Sequence, residues 1–423
     1  MIDQQSKTRN PWSFIPTLYF AQGLPNIIIN SVSVIIYKNL GIPNELITSG
    51  TSFLYLPWVL KMLWSPFVDV TSTKRNWIIA MNLGMVCCMV VAAFSLHLPN
   101  FFLISLIIFS AAAFVSATYD IAADGFYMLA LTPEDQALFA GIRSVFFRLS
   151  VIFASGGLVF LAGYMTEAIG IDKTVAWSLT LGIAAVLFAI FLVYHKVVLP
   201  FPSTDGSSAA TAEAEKTPFA EIIAAYFRQQ KITAILAFIL LYRFGEAMLV
   251  KVAQLFLLDP AEKGGLGLST QDVGLVYGTF GVISLILGGI TGGAIIAKYG
   301  LKKTIWPMAW ALNLPDLFYV YMAYAQPPLK FVYPLVSLEQ FGYGLGFTAF
   351  MVYLMYISKG QYKTSHYAIS TGIMALGLMV PGAVSGAIQT QVGYPLFFVI
   401  VCFLTIPGML TILFLPLDEE GQS

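Results

Sequence analysis

The feature that most constrains this chain is a succession of apolar stretches, each close to the length that crosses a bilayer. A helix rises 1.5 Å per residue, so about 20 apolar residues span the hydrocarbon layer. Twelve stretches approach that length: 12–37, 46–69, 76–96, 101–130, 138–163, 175–195, 232–257, 270–297, 304–326, 331–357, 366–390 and 394–416. Composition agrees with them. Of 423 residues, 58% are hydrophobic and 10% charged, with a mean hydropathy of +0.79, where a soluble domain carries about 25% charged residues. So few charges cannot clothe a water-facing surface, and the chain reads as an all-α integral membrane protein. The 22 Lys and Arg cancel the 22 Asp and Glu, which leaves no basic excess for nucleic acid. The polar start Met1–Asn10 leads into an apolar stretch too long for the core of a cleaved leader. Cys87, Cys88 and Cys402 lie inside apolar runs and offer neither a disulfide framework nor metal-ligand spacing, which leaves packing as their role.

Most connections between the stretches are short. The exception is 197–230, where Pro200, Pro202, Ser203, Asp205 and Gly206 interrupt the pattern and Ala212–Gln230 then alternates charged and apolar residues, as a helix lying on the membrane surface does. The expected organisation is a six-helix bundle over 1–196, a cytoplasmic linker with an amphipathic helix over 197–230, and a second six-helix bundle over 231–423. Placing Met1 in the cytoplasm puts thirteen Lys and Arg on that side and only Lys38, Lys173, Lys263 and Lys330 on the other. The positive-inside rule then predicts that both termini are cytoplasmic. The two halves also echo one another. After the second stretch comes Ser65-Pro-Phe-Val-Asp69 followed by Lys74-Arg75; after the eighth comes Gly293-Ala-Ile-Ile-Ala-Lys298-Tyr-Gly300-Leu-Lys302-Lys303. The later copy resembles the small-xxx-acid-basic-x-Gly-x-basic-basic loop of the major facilitator superfamily, with Ala297 at the acid's position, while the earlier copy keeps the acid as Asp69. That resemblance implies two parallel six-helix halves around a central cavity, and a gating role for Asp69.

Ionisable groups inside a bilayer are costly unless paired or wet, so their positions carry information. Asp120 and Asp124 are four apart and share a face of the fourth stretch, roughly 15 and 9 Å from its cytoplasmic end. Lys61 in the second stretch and Arg143 and Arg148 in the fifth reach comparable depths. These five groups read either as ion pairs that latch a cytoplasmic gate or as groups that meet an anionic substrate and relay a proton; a latch opened by protonation does both. Arg243 and Glu246, three apart near the middle of the seventh stretch, read as a binding or coupling pair, with structural ion pairing as the alternative. In the first stretch, Gln22-Gly23-Leu24-Pro25-Asn26 with Asn30 marks either an ordinary kink or an unwound corner whose amides face a sugar or peptide. Glu339, Gln340 and Tyr343 either line a cavity or form a local hydrogen-bonding set. Asp316, just after Pro315, fits neither pattern. His97, His195 and His366 sit at the ends of stretches, which points to the interface. No G-x-x-x-x-G-K-[ST] loop is present, which argues against an ATP-driven pump. No cofactor or metal is expected.

Several runs resemble the muropeptide permeases of the AmpG type: Ala21-Gln-Gly-Leu-Pro25, Lys61-Met-Leu-Trp-Ser-Pro-Phe-Val-Asp69, Ser116-Ala-Thr-Tyr-Asp-Ile-Ala-Ala-Asp124 and Arg148-Leu-Ser. In the second half, Gly344–Tyr356, Tyr367-Ala-Ile-Ser370 and Pro381-Gly-Ala-Val-Ser-Gly386 look like the same family. The resemblance implies a transporter, not an enzyme: proton symport of N-acetylglucosaminyl-anhydro-N-acetylmuramic acid and its peptide forms across a bacterial inner membrane. It matches Lys61, Asp120, Asp124 and Arg148 to the family pattern. It departs from that pattern over Gly125–Met128, where those permeases carry a lysine. The Asp-Ile-Ala-x-Asp run is also similar to that of the acetyl-coenzyme A transporters, a sister group, which keeps another anionic or N-acetylated cargo open. A cavity with Gln22, Asn26, Asn30, Lys61, Arg148, Arg243, Glu339, Gln340 and Tyr343 suits carboxylates, amides and acetylated sugars alike. The expected partners are this small molecule, protons and lipid, with the protein a monomer.

Overall fold

The computed structural model describes residues 9–202, 205, 219–358 and 363–417, and among them every regular element is helical. Eight helices among the described residues are long and apolar enough to cross a membrane. One of them, His366–Phe414, runs 49 residues, about 74 Å if straight against a hydrocarbon core of about 30 Å. It is not straight: Gly393 turns to φ 76°, ψ 166° and divides it in two, at the boundary expected between 366–390 and 394–416. The remaining expected spans are helical as well, and two of the three are broken. The second passes through Asn44–Phe53, Leu56–Leu60, a 3-10 turn Lys61–Leu63 and Ser65–Thr71, because Pro57 and Pro66 lack the N–H that would continue the ladder. The ninth is interrupted at Leu314–Pro315, between Leu301–Asn313 and Asp316–Ala325. The tenth, Leu329–Ile357, is continuous for 29 residues.

Side chains facing outward are those a lipid solvent tolerates. Phe94, Ile107, Val193, Ile290 and Phe403 are each more than 60% exposed, a pattern that water would oppose and hydrocarbon would not. Helix starts follow local chemistry: Thr73 and Thr132 accept from backbone N–H groups three residues on, and Pro133 occupies the first turn, where no N–H is needed. Asp172 caps Lys173–Val198 by accepting from the Thr174 and Val175 amides, which holds its carboxyl below the usual range.

The chain forms two compact units, residues 1–36 with 56–216 and residues 37–55 with 217–423. In the first, Lys74–Ser95 packs against Phe101–Ala130 and Lys173–Val198, and Ile15–Ile27 against Pro133–Ile152. A Cβ at Gly23 would lie 2.1 Å from Ser150 Oγ, so only glycine permits that approach. The Lys74 and Arg75 amides donate to Asp205, while the Arg75 guanidinium donates to the Leu199 and Lys196 carbonyls.

In the second unit, Leu329–Ile357 is clasped on two sides, by Val282–Tyr299 and by Leu301–Asn313. Residues 37–55, expected in the first bundle, group with this unit instead. The reason is polar and steric: Thr48 Oγ1 accepts from the Gly386 amide, and a Cβ at Gly386 would meet Thr48 Oγ1 at 2.3 Å. Of the expected linker helix, Phe219–Phe227 is helical, with Tyr226 buried and hydrogen-bonded to Ser370; 206–218 lies outside the described residues. His195, in the last turn of Lys173–Val198, faces the protein interior. It is fully buried, bonded to Asn82 through Nδ1 and to Thr17 through Nε2. The cysteines are free, and Cys87 is exposed rather than packed.

Candidate functional site

Among the described residues, and besides Lys74 and Arg75 at their helix start and Lys251, which donates to Thr51, buried or half-buried charge gathers at one place in the first unit and at two in the second.

In the first unit the two acids of Phe101–Ala130 find different partners. Asp120 is 9% exposed and pairs with Lys61, Nζ to Oδ2 at 3.4 Å; Gln22 is within hydrogen-bonding reach of the same carboxylate. Lys61 reaches it from the 3-10 turn Lys61–Leu63, where the prolines on either side loosen the helix. One turn on, Asp124 accepts from Tyr19 Oη at 3.1 Å and lies 3.6 Å from Arg143 Nη1. Arg143 donates to Tyr19 Oη at 3.2 Å and stacks over the Tyr127 ring at 4.9 Å. Tyr19, absent from the sequence-based set, therefore joins the acid to the base. The structure brings together four of the five groups singled out by spacing and depth, as the pairs Lys61–Asp120 and Arg143–Asp124. Arg148 does not join it: half-buried, it enters no ion pair among the described residues. The side chain of Asp69 lies outside the described residues.

Pro25 sits inside Ile15–Ile27, and the chain answers it with a π-helical turn over Ile28–Val32. This is a kink, not an unwound corner. Asn30 spends its amide on the Asn26 carbonyl at 3.0 Å, and both side chains remain partly exposed. A π turn inside a membrane helix recurs at functional positions.

In the second unit, Arg243 stands at a break between Ile232–Leu241 and Phe244–Leu258, with φ −110° and ψ 16°. Arg243 is the N-cap of the helix that carries Glu246, and its carbonyl accepts from the Ala247 amide, but among the described residues the side chains of Arg243 and Glu246 form no hydrogen bond or ion pair. Arg243 donates instead to Tyr343 Oη and lies over the rings of Tyr343 and Phe347 at 5.2 and 4.7 Å. Glu246 is 1% exposed and neither carboxyl oxygen accepts a hydrogen bond. Glu339, equally buried, accepts from Gln340 Nε2 at 3.1 Å and from Tyr319 Oη at 3.4 Å. The Glu339–Gln340 pair is thus a local hydrogen-bonding set, and Tyr343 belongs to Arg243.

The other second-unit cluster was not foreseen. Lys38 Nζ lies 2.5 Å from Asp259 Oδ1, both nearly buried. Asp259 Oδ2 also accepts from Tyr394 Oη and Asn44 Nδ2, and Asn44 donates to Gln389. Lys38 and Asp259 close their helices on the same side of the expected topology, which was the available signal. Among the described residues no group of acidic, histidine or cysteine side chains is arranged to hold a metal ion.

Charge buried on helices long and apolar enough to cross a membrane is what a path for a polar solute requires. The comparisons agree. Residues 17–358 match the Major Facilitator Superfamily, and the chain belongs to that family: it is a multi-pass membrane secondary transporter and not an enzyme. It is 24% identical over 412 residues to a Rickettsia felis protein designated transporter AmpG 4, covering 94% of each chain. It is also 24% identical over 367 residues to the anhydromuropeptide permease of Escherichia coli, covering 84% of this chain and 70% of that one. Among solved structures, the nucleoside transporter NupG superposes with a TM-score of 0.72 at 16% identity, over 94% of this chain and 98% of that one.

Proposed function

We propose that this protein imports cell-wall-derived anhydro-muropeptides by proton symport. In this reading it is a monomer that crosses a bacterial inner membrane twelve times, keeps both termini in the cytoplasm and works by alternating access. The observation that carries the proposal is the likeness to the anhydromuropeptide permease over most of the chain. Chemistry supports it. Lys61, Arg148 and Arg243 are bases for cargo carboxylates, and Gln22, Asn26, Asn30, Gln340 and Tyr343 suit amides and acetylated sugars. Arg243 donates to the Tyr343 phenol, lies over two ring faces and forms no ion pair among the described residues, which leaves its charge open to a cargo carboxylate. Glu246 and the Asp120–Asp124 pair are the acids through which a proton would pass, and Asp69 and Arg143 take part in gating.

A second reading, transport of acetyl-coenzyme A or another anionic N-acetylated metabolite, rests on the Asp120–Asp124 run. Thermal stabilisation of the purified protein separates the two. N-acetylglucosaminyl-anhydro-N-acetylmuramic acid should raise the melting temperature in a saturable way and acetyl-coenzyme A should not; the reverse result would replace the first reading with the second.

A further inference from the structure

Asp316 has no role in the proposal above, and its surroundings are unusual. It opens Asp316–Ala325 immediately after Pro315, is 0% exposed, and neither of its carboxyl oxygens accepts a hydrogen bond. Three residues earlier, Asn313 closes Leu301–Asn313, is 5% exposed, and its Oδ1 also lacks a donor, while its Nδ2 is spent on the Ala309 carbonyl. Leu314 (φ −63°, ψ −38°) and Pro315 (φ −65°, ψ −13°) both keep right-handed dihedrals. Asn313 and Asp316 therefore remain neighbours on one side of the rod. Tyr319, three further on, reaches Glu339 and packs on Phe398, so this side meets both Leu329–Ile357 and the helix that carries Cys402.

The accounting of donors is decisive. Three acceptor atoms, Asn313 Oδ1 and both Asp316 oxygens, are enclosed with no donor. Among the described residues, the ionisable groups of neighbouring helices that act electrostatically on Asp316 are Glu246, Glu339 and Cys402. None is basic. A buried acceptor left without a donor costs about 1–3 kcal/mol, more if charged. An ionised carboxylate with neither hydrogen bond nor counter-charge is not sustained in a protein interior. One proton removes the charge and gives Asn313 Oδ1 a donor, leaving a single neutral carbonyl oxygen without one, because a carboxylic acid is a donor where a carboxylate is acceptor-only.

We propose that Asp316 and Asn313 form a proton-binding site in the ninth helix, in which the neutral Asp316 carboxyl donates to the Asn313 amide oxygen. The proton is taken from bulk water and the carboxylate becomes the acid; no other bond changes. Glu246 and Glu339, both buried and acting electrostatically on Asp316, make the proton's presence sensitive to charge on the seventh and tenth helices. The site deepens the proton-coupled reading and rests on it only for the use to which the proton is put.

The test reads the proton directly, without cargo. Infrared difference spectra of the full-length protein in lipid at neutral pH, in water and in heavy water, report the C=O stretch of protonated carboxyl groups. Wild type should show a band that is missing in Asp316→Asn, whose side-chain amide mimics the neutral acid, so the variant should melt with the wild type. In Asn313→Leu the same band should persist but move, because its acceptor is gone. An identical protonated-carboxyl band in wild type and Asp316→Asn would overturn the site, as would unfolding of Asp316→Asn, which would mean that the charged form is needed. An unshifted band in Asn313→Leu would remove Asn313 from it. Failure of cargo transport would leave these spectra unchanged, so the two claims fail separately.

Discussion

Asp124 and Glu246 are both intramembrane acids, yet their surroundings give them different tests. The Asp124 side chain is 47% exposed and its partner Arg143 40%, and a pair that open contributes at most about 1 kcal/mol. Asp124→Asn should therefore cost no more than a few degrees of melting temperature while reducing uptake at least about tenfold, if the Tyr19–Asp124–Arg143 link must open and close in each cycle. Uptake at the wild-type rate would make Asp124 a spectator. Glu246→Gln removes a carboxyl that accepts no hydrogen bond and leaves Arg243 with Tyr343. The variant should keep its stability and still exchange cargo across a membrane, but should not concentrate it against a gradient. Paired exchange and accumulation assays on one preparation check this. Unimpaired accumulation, or a protein several kcal/mol less stable, contradicts it.

At the scale of helices, contact is set by what is missing from the side chains. A Cβ at Gly344 would lie 2.2 Å from the Leu285 carbonyl oxygen, and one at Gly342 2.0 Å from that of Ala311. Small residues allow this approach where no hydrophobic force drives membrane helices together. Gly344→Ala should destabilise the protein by about 1–3 kcal/mol through overpacking, read as a lower unfolding midpoint; an unchanged midpoint would mean that the helices part freely. The Lys38–Asp259 pair binds the 37–55 segment within its unit. Asp259→Ala strands a nearly buried lysine, which should cost about 3 kcal/mol and expose a cysteine placed at Thr48 to labelling. The sequence announced the helices themselves plainly, because apolar length is a property of each segment alone. Their breaks were less legible. The spacing of Arg243 and Glu246 placed them at one helix start, but not the turn of the Arg243 side chain toward Tyr343 and Phe347. Asp316 stayed unexplained because its meaning depends on Asn313, Tyr319 and Glu339, which only packing brings to one side. Tyr19 was hidden for a similar reason: a tyrosine in an apolar run reads as filler until it is seen between an acid and a base.

At the scale of the molecule, orientation and energy source each have a direct test. The charge bias predicts that a single cysteine placed in the 197–230 segment is labelled from the cytoplasmic side; labelling only from the opposite side would invert the topology. In the proposed function, a proton gradient drives uptake of a cell-wall sugar. Radiolabelled N-acetylglucosaminyl-anhydro-N-acetylmuramic acid, offered to proteoliposomes with an acidic exterior, tests it most directly. The account predicts accumulation above the external concentration that collapses when a protonophore is added. Equilibration without accumulation, or accumulation indifferent to the protonophore, would contradict it.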